Sequence, residues 1–252
     1  MTADSFADRV ALVTGAGRGI GRAVALGLAE AGARAALVAR SGEEVVAAAT
    51  EIRDQGGTAL ALAADVGDPQ QITRLVDRVI AELGPVEILV NNAAVVWPLG
   101  PTPTVDPSEW EAAARINLIG PITLSLAVLP AMIDRGWGRI ANVSSGVATN
   151  PAAMIGGNAY TATKAALEAH TLNLAAELTN TGVTVNVFRP GTVDTAMQGW
   201  IRNQDPDQIG TALHERFVAM QQSGTLITPE RSADVLLEHL AAGGNGEIWN
   251  VS

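Results

Sequence analysis

Cysteine is absent from the 252-residue chain, which excludes disulfides, thiolate nucleophiles and Cys-ligated metals at the outset. Histidine is scarce: His170, His214 and His239 lie scattered without ligand spacing, so no metal site is expected. Aromatic residues make up 4% of the chain, with Tyr160 the only tyrosine. Basic residues number 16 against 26 acidic ones and form no run. The resulting net charge of −10 argues against nucleic acid or an anionic membrane as partner. Residues 1–8 hold no charged-then-apolar leader. The most apolar helical pattern, 122–133, is too short for a bilayer and contains Thr123, Ser125 and Pro130. A cytoplasmic protein is the expectation.

What the chain does hold is apolar mass. With 48% hydrophobic and 17% charged residues it can bury a sizeable core. Short apolar runs at 9–14, 34–39, 58–64, 86–91, 138–144, 183–188 and 247–251 alternate with longer helical patterns. Several lack clean polar alternation, as strands covered on both faces do. Ser41 with Glu44, Asp68 with Gln71 and Asp106 with Glu109 read as capping boxes, and Thr228-Pro229 opens a helix in a similar way. The repetition predicts an α/β chain: a seven-stranded parallel sheet with helices on both faces. No linker divides it, so 1–252 reads as one domain, with a helical insertion at about 191–228.

Two patterns carry chemistry. After the first strand, Gly15, Gly19 and Gly21 form a G-x-x-x-G-x-G turn that opens a helix. Such a turn lets backbone approach a pyrophosphate while the helix N-terminus faces the anion. Farther on, Tyr160 and Lys164 stand four residues apart, on one helix face. Lys164 is the only lysine; the other basic residues are all Arg. A fixed ammonium near a phenol favours the phenolate, so the pair is suited to giving and taking a proton at a carbonyl oxygen near neutral pH.

Taken in order, Thr14-Gly-Ala-Gly-Arg-Gly-Ile-Gly21, Asp65-Val66, Asn91-Asn-Ala-Ala94, Asn117, Ser144-Ser145, Tyr160-x-x-x-Lys164 and Pro190-Gly191 resemble the short-chain dehydrogenase/reductase family over nearly the full length. The resemblance implies a single-domain, doubly wound Rossmann fold and hydride exchange between a nicotinamide cofactor and a ketone or secondary alcohol. It implies Tyr160 as general acid/base and Lys164 as the group that lowers the phenol's pKa and holds the nicotinamide ribose. Ser145 would hold the substrate oxygen, with Ser144 turned into the core or onto backbone. Asn117 would support a water leading from Lys164 to solvent. Gly15, Arg18, Gly19, Ile20 and Gly21 would cradle the cofactor phosphates, and Asp65 and Val66 the adenine. Asn91 and Ala93 would line the adenine ribose. Pro190, Gly191, Thr192, Val193 and Thr195 would meet the nicotinamide end. Ala94 replaces a usual glycine.

In dinucleotide folds an acidic residue at the end of the second strand grips the ribose 2′-hydroxyl, whereas an arginine suits a 2′-phosphate. Here Ala39 and Arg40 stand at that point, with Arg18 in the glycine turn. NADP(H) is therefore expected, with NAD(H) as the alternative. Trp97, the 146–158 loop, Met197, Trp200, Phe217 and Met220 are expected to wall an apolar substrate. An acyl-carrier-protein reductase is a weaker reading, since the chain is acidic and Thr181 stands where those reductases often carry a basic residue. A non-catalytic NADP(H) sensor is disfavoured by the intact Asn117, Ser145, Tyr160 and Lys164 set. An Ala-rich helix after Tyr160, together with the resemblance, implies a homodimer or homotetramer acting on a small molecule.

Overall fold

The apolar runs become strands because one sheet, covered on both sides, can bury them. The computed structural model describes residues 6–251. Its strands are β1 (Val10–Thr14), β2 (Arg34–Ala39), β3 (Thr58–Ala63), β4 (Ile88–Asn91), β5 (Gly138–Val143), β6 (Val183–Arg189) and β7 (Ile248–Asn250). All pair in parallel, in the order β3-β2-β1-β4-β5-β6-β7. The expected doubly wound Rossmann-type α/β sheet of seven strands is what forms.

Successive side chains of β1 enter opposite cores. Val10 and Leu12 join an apolar cluster with α3 (Pro69–Leu83), α5 (Gly120–Arg135) and α6 (Asn158–Glu177). Ala11 and Val13 join another with α1 (Gly19–Glu30), α2 (Gly42–Asp54) and α10 (Pro229–Ala242). Chain order reverses between β1 and β4, so the loops at their carboxyl ends part and leave a crevice.

Helix starts follow the capping residues, but none of the three expected boxes closes reciprocally; Gln71 Oε1 accepts from Asp65 N–H instead of Asp68 N–H. Ser41 Oγ accepts from Glu44 N–H, but the Glu44 carboxylate turns to Arg18 rather than back to Ser41. Asp106 caps Ser108 through its N–H and hydroxyl, not Glu109. The Asp68 carboxylate takes the N–H groups of Gln70 and Gln71, and Thr228 that of Arg231.

The helix expected to be short is not. α4 (Pro107–Ala114) runs through a wider π turn at Arg115–Ile119 straight into α5, giving 29 continuous residues. Pro130 does not interrupt it. Its length and apolarity would suffice to cross a bilayer, yet Leu124, Val128 and Met132 are spent on the sheet, as in a core helix. Past β6, α7 (Ala196–Arg202), α8 (Pro206–Ile209) and α9 (Thr211–Gln222) fold over the crevice. Their Ile201, Ile209 and Leu213 form a third apolar cluster with Val96 and Met154, against which Tyr160 packs.

Candidate active site

One cavity of about 930 Å³ runs from the glycine turn to the third apolar cluster. Its floor is set by the ends of β1 and β4. Asn92 Nδ2 donates to Thr14 O at 2.9 Å and to Gly15 O at 3.3 Å, while Thr14 Oγ1 accepts from the N–H groups of Asn92 and Ala93. Gly15, with φ of +65°, is pressed so close that a Cβ would lie 3.0 Å from Ala93 Cα. At Gly21 a Cβ would come within 2.3 Å of Gly15 O and 2.5 Å of Asn92 Nδ2. Gly21 is therefore a packing glycine, not a cavity residue as the motif suggested.

Gly15, Gly17, Arg18, Gly19 and Ile20 line the cavity, and the N-terminus of α1 opens onto it with no side chain capping its free N–H groups. Unpaired donors on a glycine cradle fit a diphosphate. Ala39, Arg40, Ser41 and Glu44 border the same end. Arg18 is held by Glu44 at 3.3 Å, whereas Arg40 is exposed and makes no ion pair among the described residues. Asp65 and Val66 line the cavity too; Asp65 Oδ1 accepts from Gly67 N–H at 2.8 Å, which shapes the turn there.

The catalytic candidates gather at the ends of β5 and β6. Ser145, Tyr160, Lys164, Pro190, Gly191, Thr192, Val193 and Thr195 all face the cavity. Lys164 is 2% exposed, and its Nζ donates to Val143 O at 2.7 Å and lies 5.7 Å from the Tyr160 ring. Burial pulls the Lys164 ammonium down from 10.5 to about 8, with Glu168 working the other way. Burial also pushes the Tyr160 phenol above its ordinary value, against a pull downward from the Ser145 hydroxyl. Ser145, rather than Lys164, is the neighbour that opposes this upward push.

Asn91 and Asn117 are held away from the cavity lining by their partners, and Ser144 turns into the core. Asn91 is buried and turned away, donating from Nδ2 to Asn142 Oδ1 at 2.8 Å; its neighbour Asn92 meets the cavity instead. Asn117 is fully buried in the π turn, where its amide exchanges two 2.8 Å hydrogen bonds with the backbone of Val95. It thereby holds the backbone of Val95, which lines the cavity. Of the two alternatives for Ser144 the buried one forms: Oγ donates to Glu168 Oε1 at 2.7 Å. Trp97, Met154, Met197, Trp200, Phe217 and Met220 do come together around the far end.

The model of the short chain dehydrogenase family matches residues 9–206. This chain belongs to that family. A short chain dehydrogenase of Pseudocercospora fijiensis is 41% identical over 193 residues, which span 75% of this chain and 61% of that protein. The 2,3-dihydro-2,3-dihydroxybenzoate dehydrogenase of Bacillus subtilis is 34% identical over 98% of this chain and 94% of its own length. Among solved structures, a single-substitution form of the actinorhodin polyketide ketoreductase with NADPH superposes with a TM-score of 0.86 at 32% identity. That match covers 99% of this chain and 97% of the other. The protein is accordingly a short-chain oxidoreductase acting on CH–OH or C=O groups.

Proposed function

We propose that the protein reduces an apolar, ring-bearing ketone, or oxidises the matching secondary alcohol, with NADP(H). The observation that carries this is the convergence of the glycine cradle, Ser145, Tyr160 and Lys164 on one cavity whose far end is lined by Trp97, Met154, Met197, Trp200, Phe217 and Met220. NADP(H) rather than NAD(H) is supported by the unpaired Arg40 and by Ala39 where a carboxylate would repel a phosphate. Glu44 sits near and neutralises Arg18, which leaves Arg40 as the cation available to a 2′-phosphate. The relatives support the two parts separately: the name of one gives a ring-bearing substrate, a dihydrodiol of a benzoate, and the other was solved with NADPH.

When bound, the reduced dinucleotide supplies the hydride. Gly15, Gly17 and Gly19 with the α1 N-terminus would hold its diphosphate, and Asp65 and Val66 its adenine. Pro190, Gly191, Thr192, Val193 and Thr195 would hold the nicotinamide end. Ser145 donates a hydrogen bond to the substrate oxygen and orients it toward Tyr160. Tyr160, neutral at rest, gives its proton to that oxygen and takes one back in the reverse direction. Lys164 supports the phenolate left behind. Helices α7–α9 cover the substrate and exclude water. Exposed Ile119, Leu126, Ile133 and Leu172 on the outer faces of the α5 and α6 layer support assembly as a homodimer or homotetramer.

Tyr160→Phe tests the reading. NADPH oxidation with acetophenone and cyclohexanone as probes should fall by about 10²-fold or more, the usual reach of general acid catalysis. NADPH binding, followed by its fluorescence, should persist. Near-normal turnover in that variant would remove Tyr160 from the reaction.

A further inference from the structure

Beneath the Tyr160–Lys164 pair lies a charged cluster with no part in the mechanism above. Glu168 stands one turn beyond Lys164 on α6 and is 8% exposed. Its carboxylate accepts from Arg189 Nε at 2.8 Å, from a second Arg189 nitrogen at 2.6 Å, and from Ser144 Oγ at 2.7 Å. Arg189 ends β6 and lines the large cavity. Ser144 follows the end of β5, next to Ser145, and is 2% exposed. A forked, mostly buried Arg–carboxylate pair is expensive to desolvate, so apolar residues would serve mere stability as well or better.

We propose that Glu168 is a positioning residue of this active site: its carboxylate fixes Ser144 and hence the Ser145 strand end, and sets a negative charge one helical turn from Lys164. Arg189 is the counter-charge that stops Glu168 drawing Lys164 away from the Val143 carbonyl. The inference rests on the Tyr160–Lys164 reading above.

The surroundings of Lys164 leave few rivals for this part. On α6 the ionisable groups near it are Tyr160 and Glu168. β5 and the residues after it offer the Val143 carbonyl and the neutral Ser144 and Ser145. β6 brings Arg189. The π turn brings the neutral Asn117, while its Arg115 is exposed and paired with Glu111. Glu109 of α4 also stands in solvent, and the 146–154 segment carries no ionisable side chain. Among the described residues, Glu168 is accordingly the one influence that raises Lys164 against its burial.

The test exploits the single lysine. With [ε-¹³C]lysine the chain gives one side-chain lysine signal, whose midpoint is read by NMR without any substrate. Glu168→Gln keeps an acceptor for Ser144 and removes the charge; the midpoint should fall by about one pH unit or more. Arg189→Met leaves Glu168 facing Lys164 alone, and the midpoint should rise. The double variant E168Q/R189M should lie between the two. It carries no unpaired charge, so if E168Q does not fold, comparing R189M with the double variant measures the same Glu168 contribution. The alkaline limb of kcat for NADPH-driven acetophenone reduction should move with the midpoint, with KM for the ketone little changed. A lysine midpoint that is the same with and without Glu168, or limbs that stay fixed while kcat drops uniformly, would reduce Glu168 to a structural residue. Tyr160→Phe judges the catalytic reading separately: activity surviving there sinks the function, whatever the lysine titration shows.

Discussion

Replacing Lys164 by methionine should make the cofactor-free protein's stability respond to pH in a way worked directly from the buried ammonium. In the folded chain the group titrates at about 8 instead of 10.5, chiefly because burial strips its water. At about 1.4 kcal/mol per pH unit, that shift corresponds to roughly 3 kcal/mol. The sign follows from proton counting. Between pH 8 and 10.5 the unfolded chain holds a proton on Lys164 that the folded chain has given up, so wild-type stability rises across that window. Below 8 both states hold it and the full penalty of burying the charge is present. Methionine keeps the length and removes the charge, although it also leaves the Val143 carbonyl without its 2.7 Å partner. That lost hydrogen bond offsets part of the gain at neutral pH but does not depend on pH. The informative quantity is therefore the difference in unfolding free energy between variant and wild type, from urea titrations at one protein concentration between pH 7 and 10.5. The Lys164→Met variant should be favoured most at neutral pH and should lose about 3 kcal/mol of its relative advantage by the alkaline end of that range. A difference that stays flat would mean that the ammonium is not buried as its 2% exposure indicates.

Two further substitutions probe the cofactor end. Gly21→Ala places a methyl 2.3 Å from Gly15 O, so the turn must open; urea unfolding should show a loss of about 1–3 kcal/mol, and NADPH binding should weaken in parallel. Unchanged affinity would show that the turn does not hold the diphosphate. Ala39→Asp puts a carboxylate beside Arg40 and should lower kcat/KM for NADPH relative to NADH by about tenfold or more, a change worth ~1.4 kcal/mol. A ratio that stays put would detach the end of β2 from cofactor choice.

How much of this was legible depends on whether a feature is local. The glycine turn and the Tyr160–Lys164 spacing could be read because each needs particular residue types a few positions apart. Asn91 and Asn92 show where such reading stops. Both are polar at a strand end, and the extended backbone sends one toward Asn142 and the other toward Gly15. Strand parity was the available signal, but the end of β4 had to be known to one residue to use it. Asn117 could be singled out in its helix, but its partner, the Val95 backbone, could not. The π turn at Arg115–Ile119 inserts an extra residue into a helical repeat, and no residue in that stretch announces it. The Gln71 amide joins Asp65 N–H to the Asp68 cap, a link invisible to any single capping motif.

The α6 ladder carries the point further. Tyr160, Lys164 and Glu168 follow at steps of four, so sequence alone puts a phenol, an ammonium and a carboxylate along one face. What it could not supply is Arg189, which arrives from β6 and turns an exposed-looking i,i+4 pair into a buried three-charge line. Surface pairs of that spacing, such as Arg78 with Glu82, contribute a few tenths of a kcal/mol and tolerate loss. In the interior the same spacing acts differently, because no water screens either neighbour and removing one charge is felt by the next. An arginine closing an apolar strand does not announce such a partner, since Arg40 follows β2 in the same way and stays exposed, whereas Arg189 is drawn in by Glu168.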